Sequence, residues 1–313
     1  MSNPPFSLHM PPNFSIILLT HNEEKNLPAC LDSLQGLDAP VFAVDSFSSD
    51  RTLDIFRERG IAFVQHPFEN YSKQRNWAQQ NLPLQTDWVL HLDAGERCTP
   101  DMVRWLQTGF DPEGAVDGYM FSRRTIFLGR WIRRGGHYPN YHLRLFRRNR
   151  GRCEAKAYDQ HFVCEGPTRH LPAGVDLIDT VADTLLDFTQ SHAHWALFEA
   201  IETVAHARDQ GEVRARFFGT PIERRRWLKT RIFQRAPLFI RAFGYFLYRY
   251  FLLLGFLDGR MGLVFHFLQG CWFRFLIDAN VADLRRRMRS TGKSLEEVVS
   301  SNYGERYLKA LGK

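Results

Sequence analysis

Short apolar runs alternate with polar segments along the first hundred residues. Phe14-Ser15-Ile16-Ile17-Leu18-Leu19 has the density of a buried central strand, and Val41-Phe42-Ala43-Val44, Ile61-Ala62-Phe63-Val64 and Trp88-Val89-Leu90-His91-Leu92 repeat it. Between them, Leu27, Cys30, Leu31 and Leu34 recur at helical spacing. Arg51 to Arg59 reads as a helix with Ser49 or Asp50 at its cap and Gly60 closing it, and Tyr71 to Asn81 as a polar helix. Strands separated by helices predict βαβ units and a mostly parallel sheet. Three of the four strands run into polar or acidic turns, at Thr20–Glu23, Asp45 and Asp93–Glu96. Open α/β sheets bind ligands beyond the carboxyl ends of their strands. Thr99-Pro100-Asp101 then supplies an N-cap, a first-turn proline and an acid for the next helix.

Further along, the pattern loosens. Gly118-Tyr119-Met120-Phe121 and Tyr141 to Phe146 have partly alternating character and predict a second, more irregular sheet over 117–170. Arg133, Arg134, Arg144, Arg147 and Arg148 cluster there beside Gly135-Gly136. Such arginines are either solvated or a phosphate site, since guanidinium matches phosphate bidentately. From about Thr180 the chain turns helical. His192 and His194 are two apart, diverge on a helix and make a poor metal pair. A basic block from Arg214 to Arg235 precedes two segments dense in Phe, Leu and Tyr, Pro237–Leu257 and Met261–Ile277. Arg241, Arg249 and Arg274 interrupt these segments, and Asp258 and Arg260 separate them, so neither is a clean membrane span. Arg241, Tyr245, Tyr248, Arg249 and Leu252 fall on one helical face. That is the pattern of a helix lying in a membrane surface with its basic residues on anionic lipid; the alternative is a helical pair packed on the first domain. From Ser290 the chain is a polar tail with one short amphipathic helix beginning at Leu295.

The 313-residue length allows one large domain or two small ones. A formal charge of +7 suits nucleic acid, anionic lipid or phosphorylated substrates. The basic residues adjoin aromatic apolar segments instead of forming a polar groove, which argues against nucleic acid. Five scattered cysteines without a C-x-x-C pair argue against a structural zinc and a disulfide framework, and for a reducing compartment. Met1 to Pro12 has no basic n-region, and the apolar run after it is too short for a signal sequence.

No G-x-G-x-x-G follows the first strand, and no G-x-x-x-x-G-K-[ST] is present. Carboxylates at the strand ends replace glycine-rich phosphate cradles, which points to a hard divalent ion, Mg²⁺ or Mn²⁺, carrying phosphates at Asp93 and Glu96. Ala157-Tyr158-Asp159-Gln160-His161-Phe162 offers a general base, with Asp159 first and Glu165 second. His161 either holds Asp159, touches the metal or, as a lone histidine, is structural.

Four motifs share order and approximate spacing with glycosyltransferase family 2: Leu18 to Glu24, Val44 to Thr52, Gln74 to Ala78 and Leu92 to Glu96. The chain resembles that family over residues 14 to about 180, and Phe127–Trp131 through His142–Arg148 resembles a branch that builds lipopolysaccharide cores and exopolysaccharides. The resemblance implies a GT-A, Rossmann-like α/β catalytic domain over 1–180, and the residue pattern after it adds a helical membrane-associating region over 181–289 and a polar tail over 290–313. It implies an inverting, metal-dependent transferase, a hexosyltransferase, taking a sugar from a nucleotide-diphosphate donor, a UDP-sugar first, to a glycan or lipid-linked acceptor. The setting would be the cytoplasmic side of the inner membrane. Thr20, Asn22, Glu23 and Asp45 would line the nucleotide with Arg75 and Asn76, Asp93 would hold the ion, and Arg144 and His161 would meet acceptor or phosphate. The sequence departs from the family at Asp-x-Asp, where Gly95 stands in place of the second acid and Glu96 follows one residue later. That departure supports the rival reading of a non-catalytic membrane-bound scaffold.

Overall fold

The computed structural model describes residues 13–155, 160–205 and 236–311. The candidate base Asp159 and the basic block from Arg214 to Arg235 lie outside them.

The apolar runs form the middle of one large sheet. β1 (Phe14–Thr20), buried along its whole length, pairs in parallel with β2 (Val41–Asp45) on one side and β4 (Trp88–Asp93) on the other, and β3 (Ala62–Gln65) continues beyond β2. Burial on both faces is why the central strands are apolar without alternation. The register sets Thr20 opposite Asp45 and Leu19 opposite Asp93, so the polar ends of β1, β2 and β4 open at one edge. α1 (Leu27–Asp32), α2 (Thr52–Glu58) and α3 (Tyr71–Asn81) make the crossovers. α2 starts one residue later than expected, with Arg51 at its N-cap, and Asp50 just before it accepts the Thr52 N–H through Oδ1 at 3.0 Å. β5 (Glu96–Cys98) leads to α4 (Pro100–Thr108), where Thr99 Oγ1 caps the Met102 N–H.

The expected second sheet is instead a continuation of the first. β6 (Gly118–Phe127), with β7 (Arg130–Ile132) beside it, pairs with β8 (Tyr141–Arg147), and β8 joins the free edge of β4 in antiparallel register, Leu90 opposite Leu145. An open edge on the central strand would leave a row of buried backbone groups unpaired, and β8 satisfies them. A short ladder of β9 (Gly151–Cys153) and β10 (Phe162–Cys164) stands apart, and β11 (Thr168–His170) and β12 (Asp176–Ala182) complete the sheet against β6.

The helical part begins with α5 (Leu185–Ala205). α6 (Ile240–Leu247) continues as a π turn and, after a 3₁₀ turn at Gly255–Asp258, the chain re-enters α7 (Gly259–His266) and α8 (Phe273–Thr291), with α9 (Leu295–Tyr303) last. α5, α8 and α9 share a core of Ala196, Ile201, Ile277, Val281, Leu284 and Val299, so the helix expected in the polar tail packs with the preceding region. The interrupting arginines turn inward, contrary to their expected place on lipid. Arg241 pairs with buried Asp278, Arg274 with Glu199 at 3.0 Å, and Arg249 Nε donates to the Gly135 carbonyl at 2.6 Å. Fixed acceptors inside the protein compensate the desolvation of each guanidinium. The outward face carries Ile240, Phe243, Leu247, Phe251 and Leu252, the last 73% exposed.

The two parts meet at the loop after β7. Asp258 Oδ2 accepts from the N–H groups of Arg133 and Arg134 at 3.1 and 2.8 Å, and the Gly135 N–H donates to Leu253 O at 2.9 Å. Gly135 has φ +63°, and a Cβ there would lie 2.1 Å from His266 Cε1. Left-handed backbone and close ring approach together require glycine.

Candidate functional site

The open edge is organised by side chains of its own loops. Asp45 Oδ1 accepts from Thr20 Oγ1 at 3.0 Å and Ser48 Oγ at 2.5 Å, and Oδ2 from the Ser48 N–H at 2.8 Å and Gln65 Nε2 at 3.2 Å. Asp45 is fully buried and both its oxygens are engaged by its own loops, so it ties the loops together, contrary to the expectation that it lines the nucleotide. Asn22, at φ +56°, donates its N–H to Ser48 Oγ and accepts from the Ser49 N–H, both at 2.8 Å. Asn tolerates this left-handed conformation better than most residues. Glu23 binds Asn26 Nδ2 through Oε2 at 2.9 Å; burial raises its pKa, and the nearby charge of Asp93 adds to the rise.

α3 supplies the wall. Its buried face is polar because it meets backbone: Ser72 Oγ donates to Glu154 O, Asn76 exchanges two bonds of 2.9 Å with the backbone of Cys153, and Gln79 Nε2 donates to the carbonyls of Arg148 and Gly151. Asn76 is thereby committed to β9 and does not reach the edge, contrary to its expected nucleotide contact. Arg75 and Gln79, four apart on the helix, meet Asp93 and His91, two apart on β4. Four helical residues rise about 6 Å and two strand residues about 6.6 Å, so the pairs align.

Asp93 is the meeting point. Arg75 Nη2 donates to both its oxygens at 2.8 and 3.1 Å, and Arg144 Nη2 to Oδ2 at 3.0 Å. Arg144 also donates to Glu96 Oε1 at 2.5 Å, while Glu96 Oε2 accepts from the Asp93 N–H at 3.1 Å. Burial by itself would raise the Asp93 carboxyl, but the two guanidinium groups together outweigh it and hold the carboxyl far below the usual carboxylate range. Arg144 reaches this point through a β-bulge. The β6–β8 register steps from Tyr119 opposite Leu145 to Met120 opposite Leu143, so Arg144 has no opposite residue. A bulge re-aims the side chain it releases. Of the five clustered arginines, Arg144 alone joins Asp93. Arg147 pairs with Asp117, Arg148 Nη1 donates to Leu84 O, and Arg133 lies over Trp131.

The expected ion does not fit these residues. The Glu96 side chain is 1% exposed with both oxygens engaged, and both oxygens of Asp93, 35% exposed, face guanidinium groups. Two positive groups against two carboxylates leave no net negative charge to attract a divalent cation. Among the described residues, no group of three or more His, Cys, Asp or Glu is placed to hold a metal.

His161 is fixed by Glu154. Its backbone N–H and Nδ1 both contact Oε1 of fully buried Glu154, at 2.9 and 3.1 Å. The neighbouring Phe162 ring lies under Arg75 and Arg144, at 5.1 and 5.8 Å from their guanidinium carbons. Glu154, Gln79 and Phe162 are the contributors the sequence did not flag. An acid five residues before Asp159 was the available signal for the first.

Comparison with known proteins gives a family model, Glycosyl transferase family 2, matching residues 15–166, just under half the chain. An uncharacterised glycosyltransferase of Rickettsia typhi is 28% identical over 88 residues, and one of Rickettsia conorii 30% identical over 88 residues. Each alignment covers 28% of this chain and 30% of the relative, so the match spans less than a third of either curated protein. Among solved structures, S. aureus TarS residues 1–349 in complex with UDP aligns over 90% of this chain and 92% of its own at 15% identity and a TM-score of 0.42. Glucosyl-3-phosphoglycerate synthase from Mycobacterium tuberculosis with Mn²⁺, UDP and phosphoglyceric acid aligns over 36% and 43% at 19% identity and a TM-score of 0.29.

Proposed function

We propose, taking the glycosyl transferase family 2 match over residues 15–166 as premise, that this chain moves a sugar from a nucleoside diphosphate donor to a glycan or lipid-linked acceptor at a membrane surface. The α/β domain with its mostly parallel central sheet is GT-A-like. The observation that carries the reading is an overlap: Thr20, Asn22, Asp93, Arg75 and Arg144 all lie within the matched residues and border one polar sheet edge. Ligands of open α/β sheets bind at such an edge.

In this scheme the acceptor hydroxyl oxygen bonds to the anomeric carbon as the bond from that carbon to phosphate breaks. The electron pair leaves on the diphosphate, and the hydroxyl proton passes to a protein base. One displacement inverts the anomeric centre. Arg75 and Arg144 are the cations nearest the developing charge, and no step is routed through a divalent ion. Asp159 is the first choice for the base. His161 is a second reading, favoured by Glu154, whose carboxylate fixes the Nδ1 side of the ring and leaves Nε2 for an acceptor proton. Glu165 stands on an exposed turn after β10.

The test is transfer from a panel of nucleotide sugars by the full chain. Asp159→Asn is expected to keep donor affinity within about twofold and to lose roughly 100-fold or more in turnover, the usual range for a general base. If His161→Gln takes that loss and also abolishes the acid limb of the pH profile, the base is His161. Absence of transfer with every donor would overturn the enzyme in favour of a scaffold.

Association with the cytoplasmic face of the inner membrane belongs to the same proposal. Its support is the outward apolar face of α6 and the turns after it. No single helix among the described residues is long and apolar enough to cross a membrane; one pair, Ile240–Leu252 with Gly255–Thr291, meets that length and composition only together and is bent by 71°. A bent, one-sided apolar surface suits burial in the headgroup and acyl boundary. A role in lipopolysaccharide-core or exopolysaccharide assembly is the corresponding proposal for the acceptor.

A further inference from the structure

The disagreement between the expected ion and the residues present has a constructive reading. Arg75 and Arg144 arrive from different elements, α3 and the bulge of β8, and are buried to about nine-tenths or beyond. All their hydrogen bonds to Asp93 and Glu96 run through Nη2, and the Nε of each is buried without a partner. Buried donors without acceptors are costly and call for an explanation. At Gly95, where a second acid would complete a cation site, a Cβ would meet nothing within 4 Å and the backbone is not left-handed. The space for that acid is therefore open, and the chain leaves it unused.

We propose that Arg75 and Arg144 themselves bind the diphosphate of the donor without a divalent ion, and that Asp93 occupies them until the diphosphate displaces it. The inference rests on the nucleotide-sugar reading above and names the device by which that site holds its donor. Planar guanidinium groups bind phosphate oxygens in pairs and remain charged at any working pH. The diphosphate presents more oxygens than the Asp93 carboxylate and can pair with both guanidinium groups at once when the Asp93 side chain, 35% exposed, turns towards solvent. The same arginines then face the oxygen on which charge grows as the sugar leaves.

The experiment is calorimetric titration of the full chain with UDP, GDP, ADP and CDP, each in EDTA and in Mn²⁺. The wild type is expected to bind one nucleotide with dissociation constants within about threefold in the two conditions. Arg75→Gln and Arg144→Gln should each weaken that binding tenfold or more in EDTA. Because loss of Arg144 can disturb folding, Gly95→Asp is the independent arm: it sits in open space, completes Asp-x-Asp, and should gain at least tenfold in nucleotide affinity on adding Mn²⁺. Wild-type binding that requires Mn²⁺ would overturn the arginine clamp and leave the glycosyltransferase reading intact. Failure of all four nucleotides in both conditions would overturn that reading itself.

Discussion

At the scale of single residues, Glu96 shows how burial changes a role. Its place in the motif suggests a metal ligand, yet its carboxylate lies inside the sheet between Arg144 and the Asp93 backbone. Removing one member of a buried pair strands the other charge, at a typical cost of 3–5 kcal/mol, whereas exposed pairs contribute about 0–1 kcal/mol. Glu96→Gln keeps the shape and loses the charge. Arg144 keeps Asp93 at 3.0 Å as its other carboxylate, so the change is expected to destabilise the protein by about 1–3 kcal/mol, while Glu58→Gln, at the exposed pair with Arg51, changes stability by less than about 0.5 kcal/mol. Urea unfolding at neutral pH checks this, read as a shift of midpoint at constant slope. Equal, small shifts for both would mean that Arg144 does not depend on Glu96.

At the scale of elements, the loop after β7 joins chemistry to the helical part. Asp258 gathers the backbone N–H groups of Arg133 and Arg134, and Gly135 lies against the ring of His266. This loop leads into β8, the strand that carries Arg144. Gly135→Ala puts a Cβ into the His266 ring and a side chain on left-handed backbone. Overpacking costs about 1–3 kcal/mol and the left-handed residue about 1–2 kcal/mol more. The variant is expected to loosen α7 from the sheet, with faster amide exchange in Gly259–His266 than in β1 and β4. Unchanged exchange there would show that the contact carries no strain between the two parts.

At the scale of the whole molecule, charge and apolar surface are sorted in an unusual direction. The arginines of the aromatic-rich segments are paired inside, and leucine and phenylalanine face out. Attachment to lipid should therefore depend on apolar burial, about 1.5–3 kcal/mol for each large side chain fully inserted, more than on salt-sensitive attraction. The full chain is expected to float with anionic vesicles and to remain bound in high salt. Phe251→Asp and Leu252→Asp together should lower the partition coefficient at least tenfold without changing nucleotide binding. Full-length protein that stays free of vesicles and needs no detergent would make this face an interface with another protein.

The central strands β1, β2 and β4, their crossovers and the acidic strand ends were legible in the sequence, because strands covered by the sheet's two faces are continuously apolar and the turns beyond them cannot be. Thr99 was legible as a cap for a related reason: a helix start leaves N–H groups that only a few side chains satisfy locally. Three things were decided by tertiary structure. β8 extends the central sheet because the edge of β4 required a partner, and that partner, Leu145 opposite Leu90, lies far along the chain, a pairing that no local pattern encodes. Asn76 and Arg75 are neighbours in sequence with opposite assignments, since a turn of about 100° between helical residues sends one to β9 and the other to Asp93. Arg144 stood out among five clustered arginines as a contact for acceptor or phosphate, and a one-residue shift in strand register is what aims it at Asp93 and Glu96. Sequence fixes which groups are charged; which charges meet is set by register and by helix phase, and both depend on contacts between residues far apart along the chain.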